Sequence, residues 1–129
     1  MEVNLIVAER VKAPEISKAK NITLWVLQIL AAAAFLAAGS AKLTGAEQMV
    51  AVFEKVGIGQ WFRYLTGSLE VLGAIGLLIP RVTFYAAALL ATVAIGAVMA
   101  HLVVLGASAA GPAAVLLLIT GTIAYLRRP

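Results

Sequence analysis

Cysteine is absent from this 129-residue sequence. Without a thiolate, the chain itself has no means of thiol exchange, of a disulfide relay, or of holding a zinc-thiolate site or an iron–sulfur cluster. Charge is nearly as scarce, at 12% of residues, and histidine occurs once, as His101. A single histidine rules out bis-histidine haem within one chain and leaves only a pairing such as His101 with Met49. One His with one nearby Glu also falls short of the three protein ligands of a catalytic zinc site. No GxGxxG, Walker A or serine-elbow pattern occurs, so the common phosphate-cradling and acyl-transfer motifs are missing too.

Apolar residues fill the sequence instead. They make up 63% of it, and the mean hydropathy is +1.02, far from the balance of a soluble domain. Four apolar runs, near 22–41, 64–80, 83–105 and 108–126, each approach the roughly 20 residues that span a hydrocarbon core. Stretches such as AAAAFLAA do not alternate apolar and polar residues, which excludes a membrane β-barrel. The expected fold is therefore all-α, an integral membrane four-helix bundle. Residues 1–20, with seven charges of mixed sign, read as a surface tail, and residues 21–129 as one domain. A cleaved signal peptide over 18–41 is the rival reading, but its apolar run is too long for such a segment.

Counting Lys and Arg on alternate sides gives the orientation. With the N-terminus inside, that side holds Arg10, Lys12, Lys18, Lys20, Arg81, Arg127 and Arg128, against Lys42, Lys55 and Arg63 outside. Both termini are expected in the cytoplasm. The basic residues flank the apolar runs rather than interleaving with aromatics, which argues against a nucleic-acid surface. Between the first two spans, Met49, Val50, Phe53 and Val56 recur at helical spacing opposite Glu47, Gln48, Glu54 and Lys55. That pattern predicts a short helix in the outer interface, ended by Gly57.

Glu70 lies inside the second apolar run. A carboxylate near the centre of a span costs on the order of 3 kcal/mol on insertion scales, so this helix inserts marginally alone and needs neighbours. Thr66, Gly67, Gly73 and Ala74 lie within about 60° of Glu70 around the helix, and small residues of this kind permit close packing. Glu70 should face the bundle interior, roughly 9 Å below the outer surface, with His101 roughly 6 Å below it and Lys42 close to it. Lys42 or His101 is the expected partner of Glu70, and Ser40, Thr44, Gln48 and Arg63 are candidates for the same outer cluster.

The stretches FLAAGSAKLTG (35–45) and VFEKVGIGQWFRYLTGSLEVLGAIGLLIPR (52–81), with Ala100-His101-Leu102, make the chain resemble the DoxX family, in particular its DoxX-like branch. The resemblance covers about 25–126 and implies a four-helix protein of a bacterial cytoplasmic membrane. Some members of the wider family are membrane subunits of a thiosulfate:quinone oxidoreductase or partners of oxidative-stress and thiol-handling proteins. It implies no catalytic residues, and the chain is not expected to be an enzyme by itself. The expected role is a small membrane subunit or binding protein supporting a redox partner, with a quinone or similar lipophilic ligand in an outer-leaflet pocket. In that reading Glu70 and His101 contact the ligand, Lys42 tunes Glu70, and Ser40 and Arg63 complete the lining. Two other readings stand beside it: a structural protein whose polar cluster only locks helix packing, and a permeation path formed by a homo-oligomer.

Overall fold

The computed structural model describes residues 17–129, and among these every regular element is helical. The expected tail over 1–20 therefore lies outside the described residues, except for its last four. Those four already begin the first helix. Helix α1 (Lys18–Thr44) starts at Ser17, whose hydroxyl accepts from the Lys20 amide at 3.2 Å, and ends at Gly45 in the left-handed conformation. Both ends are thus capped by residues suited to the position.

The short helix α2 (Glu47–Val56) stops at Gly57, again left-handed, at the place its sequence indicates. Helix α3 (Gln60–Leu77) begins four residues earlier than the apolar run, which brings Arg63 onto its first turn. Helix α4 (Thr83–Ala100) continues as a π turn through His101–Leu105, closed by the Gly106 amide donating to the His101 carbonyl at 2.7 Å. After a short 3-10 turn at Ala107–Ala109, helix α5 (Gly111–Arg127) completes the chain, with proline in its first turn.

Helix α1 packs most closely on α3, α3 on α4 and α4 on α5, while α5 meets α1 over a smaller area. The buried core is Ala31, Ala32 and Phe35 of α1, Ala74 and Leu77 of α3, Ala86, Ala87 and Leu90 of α4, and Ile123 of α5. Small residues dominate because the helix axes approach closely: a Cβ on Gly67 would lie 3.0 Å from the Gly39 carbonyl oxygen. Bulky side chains point the other way. Ile22, Ile29, Leu72, Tyr85, Ile95 and Leu118, spread over the four long helices, are all exposed.

Two helices are long and apolar enough to cross a membrane, Lys18–Thr44 and the continuous Thr83–Leu105. Helix α5 is apolar but shorter, and α3 carries Arg63 and Glu70 within its 18 residues. At the end of the molecule near Thr44, α2 packs against α3 and the π turn and covers that end.

Candidate functional site

Glu70 lies on the inward face of α3 between Gly67 and Gly73, and all three are buried. That face meets α1 through Gly39, whose missing side chain lets α3 approach. One turn further along α1, Lys42 reaches across. Its Nζ stands 2.6 Å from Glu70 Oε1, with the lysine side chain 14% exposed and the glutamate 5%. Lys42, of the two expected partners, meets the carboxylate.

Arg63 is also buried, and it has a defined task. Its guanidinium donates to the carbonyl of Lys42, and its Nε donates to Gln60 Oε1 at 2.8 Å. The Lys42 carbonyl belongs to the last turn of α1, where carbonyls have no partner within the helix, and a guanidinium satisfies such a group and suits the negative end of the helix dipole. Gln60 in turn donates from Nε2 to the Val50 carbonyl of α2 at 3.1 Å. A continuous polar chain thus runs from α2 through Gln60 and Arg63 to α1, ending at the Lys42–Glu70 pair.

The remaining candidates take other positions. Ser40 is exposed, and its neighbour in the expected cluster, Thr44, bonds back to the Ser40 carbonyl at 2.8 Å. His101 is half-buried on the π turn, with Nδ1 2.8 Å from the Ala97 carbonyl. Because that oxygen only accepts, Nδ1 carries the proton there, which leaves Nε2 as the acceptor of a neutral ring. A cleft of about 390 Å³ opens between α2 and the start of α3, lined by Val50, Phe53, Glu54, Gly57, Gly59 and Gln60. It touches the polar chain at Gln60. Among the described residues no group of three His, Asp or Glu is placed to hold a metal ion.

A second polar cluster sits at the opposite end, and reading the sequence did not find it. Gln28, fully buried in α1, donates from Nε2 to the Leu77 carbonyl at 2.8 Å and accepts from Arg127 Nε at 2.9 Å. The Thr83 hydroxyl, also buried here, spends its proton on the Ile79 carbonyl at 2.9 Å. Leu77 ends α3 just before Pro80, so its carbonyl is satisfied from another helix, by the Gln28 side chain. The only signal in the sequence was a lone glutamine inside the first apolar run. Replacing Gln28 by leucine removes both bonds and strands the carbonyl and the guanidinium, which should lower stability by about 1–3 kcal/mol. Thermal unfolding in mild detergent measures it.

The sequence pattern of the DoxX-like family matches residues 26–123, three quarters of the chain and more. The chain belongs to the DoxX-like family. The match contains Gln28, Lys42, Arg63, Glu70 and His101, so the ion pair and both polar clusters are built from the DoxX-like region, with Arg127 just beyond it. No curated protein and no solved structure matches this DoxX-like chain.

Proposed function

We propose that this DoxX-like protein is a non-catalytic multi-pass subunit of the bacterial cytoplasmic membrane, in which the Lys42–Glu70 pair locks α1 to α3. The observation that carries the lock is closure. Glu70 is 4% exposed with a lysine ammonium at 2.6 Å, and the Gly39–Gly67 contact leaves no room for a ligand between the two helices. A carboxylate in a span is tolerated when it is paired inside the bundle, and this one is.

Four spans with both termini inside agree with the exposed bulky side chains on all four long helices. They agree also with five basic residues at one end of the described fold, Lys18, Lys20, Arg81, Arg127 and Arg128, against Lys42, Lys55 and Arg63 at the other. Helices α3 and α5 cross as members of the bundle, shielded by α1 and α4.

A second reading is favoured by the cleft beside Gln60: a quinone or comparable lipophilic ligand, bound in support of a redox partner. Its carbonyl would meet the Gln60 amide rather than Glu70 or His101. Phe53, edge-on to Phe62 at 5.9 Å between centroids, supplies an aromatic wall.

Mass spectrometry of the organic extract from gently purified protein separates the two. The lock reading expects no quinone above background in the parent or in Glu70→Gln, and a lowered melting temperature in the variant. A quinone near one per chain, lost on Gln60→Ala in a variant that still folds, would sink the lock as the whole function and establish the cleft.

A further inference from the structure

The end of the bundle away from the ion pair carries a marked charge asymmetry. Lys18 and Lys20 open α1, Arg81 lies between α3 and α4, and Arg127 and Arg128 close α5, while every acidic side chain among the described residues lies on α2 or α3 toward the other end. The bond from Gln28 to Arg127 and that from Gln28 to the Leu77 carbonyl bring these helix ends together.

Arg127 is committed to Gln28, but Arg128 is not tied to another helix. Its guanidinium lies 4.0 Å over the Tyr125 ring, and its Nη1 donates to the Tyr125 carbonyl at 3.1 Å. Arg128 thus lies against Tyr125, and the exposed Lys18 and Lys20 stand at the same end of the bundle, on the first turn of α1.

From Tyr125 an apolar groove of about 550 Å³ follows the surface of α5 past Leu126, Thr122, Gly121, Leu118 and Leu117. Ten residues of helix make it about 15 Å long. Gly121 forms a notch in it, since a Cβ there would meet nothing within 4 Å. The Thr122 hydroxyl is spent within the helix on the Leu118 carbonyl at 2.7 Å, and Leu118 is 71% exposed. The groove thus offers hydrocarbon along its length and positive charge at one end.

We propose that this groove binds an anionic phospholipid, with an acyl chain along Gly121 and the phosphate against Arg128 and Lys20. A soluble phosphate would use the cations and leave the groove empty. A zwitterionic lipid would fill the groove but bring its own ammonium to a cationic end. Only an anionic amphiphile satisfies both parts, and basic pockets beside spanning helices select such headgroups on the same grounds. The proposal rests on the membrane reading above.

The test uses the full chain in mild detergent, offered equimolar phosphatidylglycerol and phosphatidylcholine with matched acyl chains, with retained lipid counted by native mass spectrometry. Phosphatidylglycerol should be retained near one per chain and preferred about tenfold, because each basic residue near the headgroup contributes on the order of 1 kcal/mol. The preference should fall toward parity in Lys20→Gln/Arg128→Gln, whose side chains are exposed. Gly121→Leu, which has open space for its side chain, should lower retention of both lipids. Equal retention by the parent, a preference that survives the double variant, or displacement of the lipid by millimolar inorganic phosphate would each overturn the proposal. Extraction of the chain from cell membranes by alkaline carbonate would instead defeat the membrane reading itself.

Discussion

Lys42→Met should destabilise the protein by about 3–5 kcal/mol, the largest loss expected from any single side-chain change in the outer polar cluster. The reason is what the lysine leaves behind. Glu70 stays buried on α3 with its Oε1 facing the vacated position, and α1 cannot draw aside to admit water while Gly39 is seated against Gly67 and Val71. A buried charge that has lost its partner keeps its desolvation cost without the compensating attraction.

Lys42→Met combined with Glu70→Leu should recover most of that loss, since an apolar pair of similar volume is often as stable as the buried ion pair it replaces. Unfolding of the two single variants and the double, followed in one detergent, gives the coupling between the two sites. A double variant as unstable as the sum of the singles would show that the two side chains act separately. The lock would then be wrong.

The Lys42–Glu70 pair was largely legible in the sequence, because a carboxylate in an apolar run admits few solutions. The small residues around Glu70 fix which face of α3 turns inward, and the alternating direction of the spans brings Lys42 and Glu70 to one end of the bundle. The first inference uses only local periodicity, the second the order of the spans. Arg63 was harder to place, since its position followed from where α3 begins, and an apolar run does not mark the polar first turn of a helix. Its role in capping α1 depends on the Lys42 carbonyl having no partner, a property of the assembled helices.

The Gln28–Arg127 bond joins residues 99 positions apart. Nothing local announces it, and the arginine was already explained as a topology signal. The π turn at His101 was equally hidden, because alanine-rich α4 and the turn share one hydropathy. At its start, His101 bonds back to the Ala97 carbonyl of the preceding turn. Sequence thus reports which residues face inward, and reports poorly which inward residues meet.

Gly67→Ala should be the next most damaging change, for a reason that no side-chain rearrangement relieves. The added Cβ would stand 2.9 Å from the Lys42 Cβ and 3.0 Å from the Gly39 carbonyl oxygen. Both obstacles are backbone or fixed to it, so α1 and α3 must separate, at a cost of about 1–3 kcal/mol or more despite the better helix propensity of alanine. Gly73→Ala provides the contrast. Its Cβ would meet the Leu90 side chain at 2.6 Å, a contact that trimming Leu90 to alanine removes, so Gly73→Ala and Leu90→Ala should cost less together than separately. Gly96→Ala, with nothing within 4 Å, should be neutral or gain up to about 1 kcal/mol. Separation of α1 and α3 also lengthens the path from Lys42 to Glu70, so the coupling between those two residues should shrink in a Gly67→Ala background and persist in a Gly73→Ala background. Equal coupling in both would mean that the ion pair holds the helices without help from the glycine contact, and that the contact is a consequence of the lock rather than its foundation.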